Sequence, residues 1–313
     1  DVYRPYQKIA DNIGGFFRTG TTFTNNVSFS NANEKSSVRF SATDLRNNDI
    51  IPESGIRRNS FTFNGTSKFG SKLSLEARAF YMDENVNNRP ALADDPGNIG
   101  NAFIGLANNV DQAWFAKTYK NPDGSYIEWG GGQYRLNPYW VINEMKNTTK
   151  KNRLLGALQL NYEITDWLSI QGRGSTDLTY INFEKFSPRT TPGVVTGALD
   201  QINRKHVTTE ADVLITGQKQ VTPSLYLAAR LGGSISRVHN NADFMQFTNL
   251  TVPDAITPTS FTDKSIIPVP YKKNLNSVYA LLSVGYKGYL YLDATVRNDA
   301  YSTLNKDYVY PSL

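Results

Sequence analysis

Residues 277–299 read SVYALLSVGYKGYLYLDATVRND. In the first half Val278, Ala280, Leu282, Val284 and Tyr286 fall at every second position. Beyond Lys287-Gly288 the pattern returns, with Leu290, Leu292, Ala294 and Val296 set against Asp293, Thr295, Arg297 and Asp299. Successive side chains of a strand point to opposite faces, so apolar residues two apart share one face. A glycine between two such runs supplies a turn, because it reaches positive φ without steric cost. The stretch therefore predicts an antiparallel hairpin with one greasy face and one polar face.

The same alternation recurs along the chain. It marks ten candidate strands, at 21–30, 36–44, 59–68, 73–83, 153–164, 167–182, 206–217, 224–237, 277–286 and 289–299. Several reach ten residues or more, whereas strands of soluble domains usually hold about five or six. A tilted strand needs about 9–11 residues to cross a bilayer. The connections sort as well. Those at 31–35, 69–72, 165–166, 218–223 and 287–288 are short, and those at 45–58, 84–152, 183–205 and 238–276 are long, in strict alternation. Outer-membrane barrels have tight turns at one rim and long loops at the other. The predicted fold class is thus all-β, a transmembrane antiparallel β-barrel with its apolar face to lipid and its polar face to the lumen. Only a closed barrel satisfies every strand donor and acceptor within hydrocarbon. Residues 1–313 are expected to form part of one such barrel domain, with 1–20 the tail of an outer loop and 84–152 a long extracellular loop. Residues 309–313 read as the start of a further strand.

Composition agrees and excludes other classes. Hydrophobic residues are 39% of the 313, aromatics 12% and charged residues 19%, with 18 Tyr and 16 Phe. That is little apolar mass for an ordinary core but suits strands with one wet face. No stretch of about 18 apolar residues is present, so no membrane-crossing helix is expected. There is no cysteine, hence no disulfide, thiol chemistry or cysteine zinc site. The net charge of +5 comes from scattered residues, which gives no nucleic-acid footprint. The two histidines, His206 and His239, lie in different segments and support neither a metal site nor a Ser/His/Asp triad. Gly130-Gly131-Gly132 lacks the following Lys-Ser/Thr of a phosphate loop and reads as a loop tip. No cofactor and no enzymatic activity are expected.

Three stretches resemble the barrel of SusC/RagA-type TonB-dependent transporters. The first is FFRTGTTFTNNVSFSNANEKSSVRFSATDLRNNDIIPESGIRRNSFTFN, residues 16–64. Its Ser30-Asn31-Ala32-Asn33-Glu34-Lys35 turn, Asp49–Gly55 element and Arg57-Arg58-Asn59 resemble family features, with Asn31 and Ala32 where two glycines are usual. The second runs from Asn137-Pro138-Tyr139-Trp140 through Arg153 and Thr165-Asp166-Trp167-Leu168 to Ser175. The third is YLDATVRNDAYSTLNKDYVYPSL, residues 291–313, with Ala300 where the family usually has an aromatic. The resemblance implies a segment, about ten strands, of a barrel of about 22 strands, with the N-terminal plug, the TonB box, the first strand and the C-terminal half of the barrel outside it. It further implies a bacterial outer-membrane importer of oligosaccharides or oligopeptides. A SusD-like surface lipoprotein would be its partner, with energy from TonB-ExbB-ExbD.

Within 84–152 the aromatics are dense, and Trp114, Tyr119, Trp129 and Tyr134 are the candidate substrate-binding residues. Flat rings stack on sugars or on peptide side chains; equally, they pack a long loop onto the barrel rim or sit in an interfacial girdle. Arg39, Arg78, Arg173, Arg230 and Arg297, with Glu76, Glu210, Asp212 and Asp293, are expected to line the lumen and pair with one another. Two rival readings remain at this point. One is an outer-membrane barrel enzyme, the other a soluble β-rich glycan-binding module.

Overall fold

The computed structural model describes residues 6–252 and 255–313; residues 1–5 of the expected 1–20 tail lie outside the described residues. The strands are β1 (Thr21–Ala32), β2 (Ser36–Asn48), β3 (Gly55–Phe69), β4 (Leu73–Asn87), β5 (Lys146–Thr165) and β6 (Leu168–Thr191). They continue as β7 (Val194–Thr222), β8 (Leu225–Leu250), β9 (Phe261–Pro268), β10 (Tyr271–Tyr286), β11 (Leu290–Tyr301) and β12 (Tyr308–Ser312). All belong to one sheet in the order β1 to β8, then β10, β11 and β12, with β9 paired to β8. Every pairing is antiparallel.

Each of the ten alternating segments forms a strand, and the final residues form β12. The short connections gather at one end of the sheet. At 287–289 both Lys287 (φ 48) and Gly288 (φ 72) take positive φ, as a tight hairpin of primed type requires. At 33–35 the Asn33 carboxamide oxygen accepts from the Lys35 and Ser36 amides at 2.9 and 2.8 Å, so the side chain itself makes the turn.

The opposite end departs from the expected pattern of long loops. The connection expected at 45–58 closes in residues 49–54, and that at 183–205 is a ribbon closed by Pro192-Gly193. Strand β7 alone has 29 residues, about 95 Å of extended chain and far more than a bilayer requires. The connection at 238–276 holds a strand of its own: β9 runs along β8 in line with β10, interrupted only at 269–270. Its Pro268 and the following Pro270 lack amide protons, which is tolerated at a sheet edge. The Val269 amide still donates to the Ala242 carbonyl at 2.7 Å.

No second sheet covers the apolar face among the described residues. Phe40, Leu158, Val278 and Leu292 are 51, 58, 60 and 53% exposed, where a soluble sandwich would bury them. Their neighbours on the same face form a continuous belt. On β5 the outward positions from Leu154 to Ile164 are Leu, Gly, Leu, Leu, Tyr and Ile. That run measures about 33 Å along the strand; a tilt of about 40° reduces it to about 25 Å, the height of a barrel's lipid band. Above it the outward side chains turn polar in register, Asn59 opposite Asp83 and Asp83 opposite Asn152. The Asn152 amide donates to Asp83 at 2.8 Å. Below it Trp167, Tyr286 and Tyr289 stand by the turns, an aromatic rim where amphipathic rings meet headgroups.

Candidate functional site

The inward face carries the charge. Arg58 donates to Glu84 at 2.7 Å, Arg153 to Asp177 at 2.9 Å and Arg173 to Asp212 at 2.8 Å. All six residues lie an odd number of positions from the apolar belt on their strands. Arg78 pairs with Glu76 at 2.6 Å as expected. Arg297 faces inward as expected, with Asp299 at 2.8 Å and Ser277 at 3.0 Å as its partners, while Asp293 accepts from Ser283. His206 lies among these polar groups, with its ring 3.4 Å from the Asn240 carboxamide and 3.3 Å from the Thr208 hydroxyl. The wall is a set of crosslinked ion pairs rather than an acid–base cluster.

Residues 88–145, between β4 and β5, make a small folded unit over one end of this wall. It contains three one-turn helices, α1 (Ile99–Ile104), α2 (Gln112–Lys117) and α3 (Pro138–Asn143). Each starts at an Asn or Asp whose side chain accepts an amide proton: Asn98 from Gly100, Asp111 from Ala113, and Asn137 from Tyr139. Such caps satisfy donors that a short helix otherwise leaves unpaired.

Two apolar clusters hold the unit. In one, Phe16 from ahead of β1 packs with Ile99, Phe103 and Ile142, its ring 5.1 Å from Phe103 and 5.3 Å from Tyr139. Asn12 stitches the same segment down, donating to the Val110 carbonyl at 2.7 Å and accepting from the Gln112 amide at 2.8 Å. The other cluster is Tyr126, Leu136, Trp140 and Met145, with Trp140 wholly buried. Three contacts fasten the unit to the tall β6–β7 hairpin. The Trp140 indole donates to Thr191 at 3.1 Å, the Tyr126 amide to Thr190 at 2.8 Å, and Lys185 to Asp95 at 2.6 Å. Burial pushes the Tyr126 phenol up to about 12, even though it accepts from the Asn137 amide. Burial also raises Tyr139, whose hydroxyl donates to Gln112 at 2.7 Å.

The four aromatic candidates do not converge on one point. Tyr119 and Trp129 lean on the Trp140 cluster. The Trp129 indole donates to the Arg135 carbonyl at 2.8 Å, and its ring stands edge-on to Phe115 at 4.8 Å. Trp114 is half-buried on α2. Tyr134 is 56% exposed and borders an open basin with Asp94, Asn101, Ile104 and Arg135. Sequence reasoning missed the Thr190 and Thr191 anchors, because their role comes from the hairpin tip that carries them.

A single-layer antiparallel sheet with a bare apolar belt, a charged inner wall and a loop unit at one rim defines a segment of a large membrane-type β-barrel. No protein-family model and no curated protein matches the chain in sequence. Among solved structures, the fold matches the RagAB peptide transporter with a TM-score of 0.79 at 13% identity, over 98% of this chain and 35% of that one. The RagAB importer in its open-open state gives 0.76 at 14% identity, over 96% of this chain. The ferripyoverdine receptor of the outer membrane of Pseudomonas aeruginosa gives 0.55 at 9%, over 94% of this chain and 38% of that one. The fold shared with these structures is the antiparallel barrel wall seen in RagAB, and the chain spans about a third of the length of the RagAB structure it matches.

Proposed function

We propose that these residues belong to a TonB-dependent importer of the bacterial outer membrane that takes up oligopeptides or oligosaccharides. The exposed apolar belt carries this reading, since a sheet that presents Phe40, Leu158 and Val278 to its surroundings is stable only against hydrocarbon. The inner wall of paired arginines and carboxylates suits a hydrated lumen. Likeness of fold to a peptide transporter favours peptides over sugars. Substrate is held at the loop rim, where Tyr134 offers a ring face beside Arg135 and Asp94, with Trp114, Tyr119 and Trp129 as further aromatic contacts or supports. A SusD-like surface lipoprotein closes over this rim, and TonB-ExbB-ExbD drives release through a region outside these residues. The process is gated movement and requires no covalent step.

Purification of the full-length protein from membranes tests the proposal. It is expected to require detergent and to bring down a surface lipoprotein encoded beside it. A protein that stays in the aqueous fraction without detergent and migrates alone contradicts it.

A further inference from the structure

One step beyond the Asp44–Asn59–Asp83–Asn152 row that tops the apolar belt, the outward face of four consecutive strands carries a basic row. Arg46 on β2 is opposite Arg57 on β3, Arg57 is opposite Asn85 on β4, and Asn85 is opposite Lys150 on β5. Each stands an even number of residues from a belt side chain on its strand, namely Phe40, Phe61, Tyr81 and Leu154, so all share the lipid-facing side. Lys150 lies four positions from Leu154. That is about 13 Å along the strand and about 10 Å in height after tilt, so flexible basic side chains reach the headgroup layer.

The carboxylates nearest the row are engaged. Asp44 accepts from Arg46 at 2.9 Å and Asp83 from the Asn152 amide at 2.8 Å. Arg57 and Lys150 are exposed and form no ion pair among the described residues. Beneath the row the belt is hollowed rather than flat. An open apolar groove of about 380 Å³ is lined by Val27, Phe40, Phe61, Phe63, Tyr81 and Leu154 among others. Phe40 and Phe63 meet at 4.9 Å on its floor.

A cationic row over an aromatic groove is complementary to one kind of molecule, an anionic lipid with its phosphate up and an acyl chain down. We propose that Arg46, Arg57 and Lys150 bind the phosphate of such a lipid in the leaflet at the loop end, with a chain lying in the Phe40–Phe63 groove. Guanidinium groups suit this role because they meet phosphate oxygens in a bidentate fork. The inference rests on the membrane reading given above.

The test uses the full-length transporter in nanodiscs of phosphatidylcholine containing a minor fraction of diphosphorylated lipid A, with native mass spectrometry counting retained lipid A. Each cation near an anionic leaflet is worth about fivefold in partitioning. Arg46→Gln/Arg57→Gln/Lys150→Gln is therefore expected to lower retention about a hundredfold, and Arg57→Gln alone about fivefold. Lys35→Gln/Lys68→Gln, at the turn end, is expected to leave it unchanged, and lipid A stripped of its phosphates is expected not to be retained. Equal retention by the wild type and the Arg57 variant, or of the phosphate-free lipid, overturns the inference alone. Failure of the wild type to enter the nanodisc overturns the membrane reading and this inference with it.

Discussion

Replacing Leu158 by arginine tests the orientation of the belt energetically. Leu158 lies on β5, 58% exposed, four residues from Leu154 and six from Ile164. Those steps are about 13 and 20 Å of strand, or about 10 and 15 Å of depth from the belt's two edges after tilt. The side chain thus sits near mid-bilayer. An arginine on the lipid face costs about 2–4 kcal/mol at the midplane and about 0–1 kcal/mol near an interface. Leu158→Arg is expected to lose about 2–4 kcal/mol, roughly thirty- to nine-hundred-fold in the folding constant. Ile164→Arg, at the turn-end edge, is expected to lose about 1 kcal/mol or less. Gln159→Arg, one residue along but facing the lumen, is expected to lose under about 1 kcal/mol. The assay is urea-dependent folding of the full-length protein into lipid vesicles, followed by heat-modifiable gel mobility. Equal losses at 158 and 159, or a larger loss at 164 than at 158, would refute the lipid-facing assignment.

Trp140→Ala leaves a large void at the centre of the loop unit and is expected to cost about 3–5 kcal/mol there; limited proteolysis should cut 88–145 while barrel mobility on a gel stays unchanged. Tyr126 titrates above its ordinary value of 10.0, at about 12. Between those values the folded loop therefore holds more protons than the unfolded one, and its stability is full below about pH 10 and declines as pH rises through about 12. Ultraviolet absorbance of tyrosinate against proteolytic susceptibility checks that direction, and early ionisation of all tyrosines contradicts it. Tyr134→Ala is expected to weaken capture of a bound oligopeptide about tenfold without changing vesicle folding, as measured by calorimetry on the full-length transporter.

The fold was legible wherever one face meets lipid, because there apolar and polar side chains must alternate. Val278 to Tyr286 and Leu290 to Val296 carry that signal unbroken. It fades beyond the belt, where the ribbon from Phe183 to Lys205 buries Phe186 and Leu199 against protein instead of lipid and reads as a loop although it is paired along its length. Gly193, at φ 83, closes that ribbon, but a single Pro-Gly pair does not reveal how far the strands beside it extend. Strand β9 was hidden by Pro268 and Pro270, which oppose strand formation in the abstract yet are harmless beside a missing neighbour. In the loop unit, aromatic density was visible but its division of labour was not. Trp140 and Trp129 look alike in sequence; one is buried among Tyr126, Leu136 and Met145 and bonded to Thr191 at the tip of a distant hairpin, and the other is bound to the Arg135 carbonyl.

The most direct measurement uses the absence of cysteine from these 313 residues, any cysteine elsewhere in the protein being first replaced by serine. Single cysteines placed in turn at positions 153–164 of the full-length protein accept one nitroxide each, and collision rates with oxygen and with a water-soluble nickel chelate are recorded in vesicles. If Leu154, Leu158, Leu160 and Tyr162 face hydrocarbon, oxygen access peaks at those even positions and nickel access at the odd ones between them. Shielding of the even positions from both reagents contradicts the lipid-facing assignment, for it places those side chains against protein.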